Sequence, residues 1–185
     1  MKSAGFVNIG FGLETGSETL LNSIHKQLTH QQIIQAVELI KKVNINISTY
    51  LMVGFPGESM KTVEETIRFI KRLKAIKPYR LMGVAPLWIY PKTEIFEIAK
   101  KQGLLDESYW LTVKDVPYYT ADYSFYRLFY MALKINYYDR PVMWFISICK
   151  NYVKFFLWRK IAALIGYYRS RNLRKLYSVD ALEGE

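Results

Sequence analysis

Strand-like and helix-like segments alternate three times in the first 105 residues, and this alternation constrains the fold more than any other feature. Apolar and β-branched runs at 6–13, 43–53 and 81–89 predict strands. An amphipathic segment typical of a helix follows each of them. Strands joined through helices pair in parallel by right-handed crossovers. The sequence therefore predicts an α/β fold whose parallel strands are buried on both faces.

Capping residues mark the ends of the predicted helices. Thr29 and Ser59 each precede an amphipathic stretch and are predicted N-caps. Gly103 ends the third helix, at 91–103, as a predicted C-cap. His25 and His30 lie among polar residues, so we expect both side chains to be solvent exposed.

The charge balance favours an anionic partner. The formal net charge is +10, which suits nucleic acid, an anionic membrane surface or a phosphorylated substrate. Cys149 is the single cysteine, so the chain has no internal disulfide and no metal site built from several cysteines of its own. The sequence opens without an apolar leader-like stretch. We expect a cytoplasmic location, with a peripheral position at the membrane left open.

Polar and glycine-containing stretches follow all three predicted strands. Glu14 and Ser17 follow the first, "GFPGE" at 54–58 follows the second, and "WIYPKT" at 88–93 closes the third. In parallel α/β folds the working groups lie at the carboxyl ends of strands. A carboxylate there accepts hydrogen bonds from an ammonium or a ribose, and turn glycines let a flat ligand approach the backbone. These stretches therefore predict a ligand site.

Simpler interpretations of the same stretches stay open. Glu14 could be a surface or helix-capping carboxylate. The stretch 54–59 could be only a tight turn followed by an N-cap, and 91–94 only a helix start. A phosphate-handling enzyme is a further alternative, but only Lys92 is placed to support it.

Taken in order, the motifs resemble the radical S-adenosylmethionine superfamily. "IGFGLETGSE" resembles a strand end with the pattern Gly-Ile-Glu-Ser-Gly-Ser, "MVGFPGES" resembles Gly-Phe/Leu-Pro-Gly-Glu, and "IYPKTE" resembles Pro-Gly-Thr-Glu. The resemblance covers about residues 1–105 and is strongest to the subgroup that carries a cobalamin-binding domain. It implies a partial TIM-like (β/α) barrel, namely the later three βα units of the core, followed by a helical C-terminal extension.

The resemblance also implies site residues. Glu14 would contact the ribose or the methionine amino group of S-adenosylmethionine, with Ser17 as a polar neighbour. The second and third strands would supply contacts to adenine from Met52, Val53, Gly54, Leu87 and Trp88.

Three positions depart from the family pattern, and the resemblance is weaker there. Tyr50 stands where the second strand of the family has its first glycine. Glu58 comes one place late, and Lys92 replaces the glycine of Pro-Gly-Thr.

The family's chemistry depends on a Cys-x3-Cys-x2-Cys loop that binds a 4Fe-4S cluster, on which S-adenosylmethionine is cleaved to a radical. This sequence has no such loop, and it lacks the Asp-x-His-x2-Gly of a cobalamin site. We therefore expect a fragment of a radical methyltransferase or cyclase that contributes the adenosyl half of the cofactor pocket. The missing half of the core, or a partner chain, would bind the cluster. Alone, the fragment would have no catalytic residue, no metal ligand and no activity, and the parent would act on a small-molecule or lipid-like substrate.

We divide the chain into a core at 1–105, a connector at 106–124 and a basic, aromatic helical extension at 125–185. The extension has no uncharged apolar run of about 18 residues, so a spanning helix is not expected. It could cover the open edge of the barrel, bind nucleic acid by stacking unpaired bases, or lie at a membrane surface. The membrane interpretation places four aromatic side chains among lipid headgroups: Trp144, Phe155, Phe156 and Trp158.

A non-catalytic interpretation stands beside the enzymatic one. The half-barrel could be a scaffold that keeps the fold without the cofactor, or a basic module that binds membranes or nucleic acid. Cofactor affinity separates these alternatives, because only the enzymatic interpretation requires it.

Overall fold

The computed structural model describes residues 1–112, 116–119 and 122–164. It confirms the predicted alternation, with every predicted strand and helix boundary in the first 105 residues displaced by three residues at most. After a short 3-10 turn at Lys2–Ala4, the elements are β1 (Asn8–Glu14), α1 (Glu18–Ser23), α2 (His30–Lys42), β2 (Asn46–Val53), α3 (Met60–Ile76), β3 (Arg80–Pro86), α4 (Glu94–Lys101), α5 (Tyr109–Thr112), α6 (Phe125–Asn136) and α7 (Pro141–Leu164).

The three strands form one parallel sheet in the order β1-β2-β3. Because side chains alternate between the two faces of a strand, Leu13, Ile47 and Leu51 share one face. Helices α2, α3 and α6 cover that face and complete the main core. The core side chains are Leu13, Leu21, Ile33, Ile34, Val37, Ile47, Leu51, Val53, Val63, Phe69, Ile70, Leu73, Met131, Ala132 and Ile135.

The opposite face of the sheet is exposed in the described part of the chain. Tyr50 and Met82 are 50% and 44% exposed, and a Cβ built on Gly83 would meet no other atom within 4 Å. The expectation of strands buried on both faces is therefore wrong for the described residues, because the covering helices all lie on one side. A sheet whose strands follow chain order under one layer of helices is compatible with part of a (β/α) barrel.

The predicted helix caps are confirmed by their hydrogen bonds. Thr29 and Ser59 each form a capping box, in which the cap hydroxyl accepts from the backbone N–H three residues on and that residue's side chain accepts in return. Gly103, at φ 67°, follows the last turn of α4, and its N–H donates to the carbonyl of Lys100 over 2.9 Å. The N–H of Leu104 donates to the carbonyl of Ala99, which completes a Schellman motif.

The third strand is shorter than predicted, because the chain leaves the sheet after Pro86. Leu87 donates one last hydrogen bond to the carbonyl of Val53. The segment 87–89 then pairs with 117–119, through hydrogen bonds of 2.8 Å from Tyr119 to Leu87 and from Ile89 to Pro117. This pairing closes a second core beside the sheet, formed by Ile89, Phe96, Ala99, Leu105, Tyr109 and Tyr119.

The first helix of the extension covers a face of the sheet, whereas one of the three interpretations placed the extension over the open edge of the barrel. Helix α6 packs on the sheet, with Met131 fully buried. Helix α7 packs against α6. No described helix is long and apolar enough to cross a membrane. The predicted helix at 165–176 lies outside the described residues.

We predict that Lys92→Gly stabilises the protein by about 0.5–1 kcal/mol in urea unfolding. Lys92 has φ 62°, the left-handed region that strains any residue with a Cβ, and it stands where the family pattern has glycine. The matched control is Lys61→Gly near the start of α3. Its free energy of unfolding should fall by about 0.5–1 kcal/mol, because glycine disfavours a helix. An equal loss of stability in both variants would contradict the prediction.

Candidate cofactor site at the strand ends

Glu14 lies at the centre of a tight turn at the end of β1. Its φ is 60°, and the Thr15 N–H donates to the carbonyl of Leu13 over 2.8 Å, which closes a three-residue turn. Such turns with positive φ are rare and strained for a residue with a side chain. The backbone at this strand end is thus strained in a way that points to a role for the side chain.

The carboxylate of Glu14 lies over Gly12, on the exposed face of the sheet. A Cβ at Gly12 would overlap the carboxylate, so a larger residue there would displace the carboxylate from this position. Lys26 Nζ lies 2.9 Å from Glu14 Oε1, and the side chains are 32% and 20% exposed. The ion pair and the glycine beneath hold a partly buried carboxylate in a defined position.

The next three residues turn the other way and dock on α3. The Gly16 N–H donates to the Thr66 hydroxyl over 2.9 Å, and a Cβ at Gly16 would lie 2.7 Å from Thr66 Cα. The Ser17 hydroxyl donates to Glu65 Oε2 over 2.6 Å and is fully buried. Ser17 therefore has its hydroxyl engaged on the helix side, whereas Glu14 faces the open side.

His30 also belongs to this docked loop, and the expectation that it is solvent exposed is wrong. Its ring stacks on Phe69 with centroids 3.7 Å apart, and its Nε2–H donates to the Gly16 carbonyl over 2.9 Å. Its side chain is 23% exposed. His25 is 75% exposed, as predicted.

The end of β2 provides one accessible side chain and two structural residues. Met52 is partly exposed and alternates onto the open face. The Val53 side chain is buried in the main core. Gly54 has φ 97°, and a Cβ there would lie 2.8 Å from Leu128 Cδ2, so glycine permits the close approach of α6.

Glu58 is the buried carboxyl of the "GFPGE" turn. It is 2% exposed, and its Oε2 accepts hydrogen bonds from the N–H groups of Gly54 and Phe55. Burial raises the pKa of Glu58 to about 7, although the two backbone donors favour its charged form. The carboxyl thus closes the turn that follows β2, and it titrates near neutral pH.

The end of the third predicted strand exposes an aromatic face. Trp88 is 41% exposed, and its ring centroid lies 6.2 Å from Tyr90 and 6.1 Å from Tyr118. Leu87 instead packs against the second core, and both of its backbone polar groups are bonded to neighbouring segments.

The predicted site residues thus fall into two groups. Glu14, Met52 and Trp88 present accessible side chains near the carboxyl ends of the strands, whereas Ser17, Val53, Gly54 and Leu87 shape the surrounding loops. Their contacts to a cofactor stay predictions. The sequence analysis missed Lys26, whose pairing with Glu14 depends on the path of α1. Among the described residues, no group of three or more His, Cys, Asp or Glu side chains could hold a metal ion.

Glu58 gives a testable pH dependence. Its pKa is about 7 in the folded protein against 4.5 for the ordinary group, so the folded state binds the proton more tightly. This contribution to the free energy of unfolding is complete below pH 4.5 and is lost as the pH rises to about 7. Between pH 5 and pH 8, the wild-type protein should lose about 2–3 kcal/mol more than Glu58→Gln in urea unfolding.

The control for this experiment is Glu38→Gln, which alters an exposed carboxylate on α2. It should keep the wild-type pH dependence. If Glu58→Gln also kept it, the proposed titration of Glu58 would be wrong.

Comparison with known proteins shows what the sequence around these strand ends is similar to. Residues 1–70 match the Radical SAM superfamily. The chain is 36% identical over 110 residues to an uncharacterized methyltransferase of Pyrococcus horikoshii, covering 60% of this chain and 23% of that protein. It also matches tRNA-2-methylthio-N(6)-dimethylallyladenosine synthases. The enzyme of Sulfurihydrogenibium sp. is 36% identical over 64 residues, or 34% of this chain and 15% of the enzyme. That of Clostridium novyi is 28% identical over 99 residues, or 52% and 20%.

The matched region spans less than a quarter of the length of each of these relatives. It includes β1, α1, α2, β2 and the start of α3, the elements that hold the Glu14 turn and the "GFPGE" turn. Through this region, the chain is similar to the radical SAM superfamily.

Proposed function

We propose that this chain forms the adenosyl-binding side of an S-adenosylmethionine site in a radical SAM enzyme. The observation that carries the proposal is the Glu14 carboxylate, held in a strained turn over Gly12 on the exposed sheet face. A carboxylate in that position can accept hydrogen bonds from the ribose hydroxyls or the ammonium of the cofactor. Lys26 beside it suits the carboxylate of the cofactor's methionine part.

The surface around Glu14 fits a flat, cationic ligand. Small residues line the open face at Gly83 and Ala85, so a ring could approach the backbone closely there. Met52 offers a polarizable thioether, and Trp88 offers an exposed aromatic face. Thioether and aromatic groups contact adenine well, and an indole also attracts a sulfonium cation.

The family uses a 4Fe-4S cluster held by three thiolates, which cleaves bound S-adenosylmethionine by electron transfer. The one cysteine of this sequence, Cys149, lies exposed on α7. We therefore propose that another segment or a partner chain supplies the thiolates, and that any cobalamin is also bound outside this sequence. The role of this chain's own residues is to bind and orient the adenosyl group.

The names of the relatives favour a particular reaction for the whole protein. One is named an uncharacterized methyltransferase, and two are named tRNA-2-methylthio-N(6)-dimethylallyladenosine synthases. Transfer of a methyl or methylthio group is therefore favoured over cyclisation.

The site can be tested by nuclear magnetic resonance with methyl-labelled methionine. We expect S-adenosylmethionine and 5′-methylthioadenosine to shift the Met52 methyl signal, while methionine alone does not, because the site binds the adenosyl group. Met131, which is fully buried in the main core, and Met143, on α7, should not respond. Shifts confined to Met143, or no shift with either adenosyl compound at millimolar concentrations, would contradict the proposal and favour a scaffold without cofactor affinity.

The same titration assigns the partner of Glu14. Glu14→Gln should weaken the binding of S-adenosylmethionine by about 10- to 150-fold, because a charge-assisted hydrogen bond contributes about 1.5–3 kcal/mol. If the partner is the ammonium, the binding of 5′-methylthioadenosine is unchanged. If it is the ribose, both compounds bind more weakly. Glu38→Gln on the exposed surface of α2 is the control and should bind both compounds as the wild-type protein does.

A further inference from the structure

We propose that α7 docks on the surface of an anionic lipid bilayer. Between residues 142 and 153 it carries an exposed apolar stripe, which we call the α7 stripe. Val142, Phe145, Ile146 and Val153 are exposed by 70%, 63%, 50% and 56%, and Cys149 is also exposed. The spacing of three and four residues places these side chains on one face of the helix.

The other face of α7 is already used within the protein. Trp144 is partly buried, and its ring lies edge-on to Tyr130 of α6 at a centroid distance of 5.9 Å. Ser147, Ile148 and Asn151 lie on the same side and are also partly buried. Packing against α6 therefore turns the α7 stripe away from the protein. It also overturns the expectation that Trp144 lies among lipid headgroups. Phe155, Phe156 and Trp158 have side chains outside the described set.

The charge of this part of the sequence complements an anionic surface. Residues 141–179 contain eight Lys and Arg residues and no Asp or Glu, in a chain whose formal net charge is +10. Lys150 is exposed on α7 and follows Cys149, which is a residue of the α7 stripe. Each cation near an anionic bilayer contributes about 1 kcal/mol of attraction. A basic helix with an exposed apolar face is the pattern of an interfacial helix.

The chemistry of the α7 stripe favours lipid over nucleic acid. Unpaired bases are bound by stacking on aromatic rings and by hydrogen bonds. Val142, Ile146 and Val153 can do neither, but they lose exposed apolar surface when they enter the boundary between headgroups and acyl chains. No described helix is long and apolar enough to span the bilayer, so the docking is at its surface.

The single cysteine provides the probe, because it lies in the α7 stripe itself. An environment-sensitive fluorophore on Cys149 of the 185-residue chain reports directly on that face. We expect its emission to shift to shorter wavelength with vesicles containing phosphatidylglycerol. The shift should be much smaller with phosphatidylcholine alone, and added salt should weaken it.

A paired substitution tests whether the α7 stripe makes the contact. Phe145→Ser with Ile146→Ser should weaken vesicle binding by about tenfold or more, because two exposed apolar side chains no longer enter the bilayer. The matched control is Val7→Ser with Leu111→Ser. It removes two side chains that are 74% and 87% exposed outside α7, and it should leave vesicle binding unchanged.

Four results would overturn the proposal. One is the absence of a shift with anionic vesicles, and another is unchanged binding by the Phe145 and Ile146 variant. A shift with single-stranded RNA but not with vesicles would make the face a nucleic-acid surface. If the fluorophore already emitted at short wavelength without lipid, and the protein sedimented as a dimer, the α7 stripe would be assigned to a second copy of the chain.

Discussion

The docking of the loop after β1 onto α3 determines both the core and the candidate site. The Thr66 hydroxyl accepts from the Gly16 N–H and contacts the Thr15 hydroxyl, and the missing side chain of Gly16 lets the helix approach. To reach α3, the chain must turn towards the helix layer immediately after Leu13. Glu14 makes that turn in the left-handed region, so its carboxylate lies on the opposite face. The contact that closes the core on one side therefore presents a carboxylate on the other.

The end of β2 shows the same arrangement, with buried contacts on the helix side and an accessible side chain on the open face. Glu58 accepts two backbone hydrogen bonds inside the "GFPGE" turn, and Gly54 lets α6 approach through Leu128. These buried contacts hold the loop in place without using the open face, where Met52 remains accessible. Residues that shape the loops lie on the helix side of the sheet, and residues that could bind a ligand lie on its open face.

Local signals made part of this arrangement predictable from the sequence. The capping boxes at Thr29 and Ser59 depend on residues three apart, and both are confirmed. The predicted end of β3 was wrong, because the true end depends on pairing with a segment some thirty residues further on. The burial of His30 was missed for the same reason, since Phe69 and Gly16 are distant in sequence. Contacts of long sequence separation leave no periodic pattern, so the sequence could suggest Glu14 but not its partner Lys26.

Two strained residues at or beyond strand ends differ in what the strain does. Both adopt a positive φ, but only one of them holds its side chain in a defined position. Glu14 and Lys92 both have φ near 60°, where glycine would cost less. At Glu14, the side chain is ion-paired and its carboxylate lies directly over Gly12. At Lys92, the side chain is exposed, and no described residue forms a hydrogen bond or ion pair with its ammonium. Strain that fixes a charged group in one position preorganises a binding site, whereas strain without such a contact only lowers stability. On this physical ground, we propose Glu14, and not Lys92, as a residue of the site.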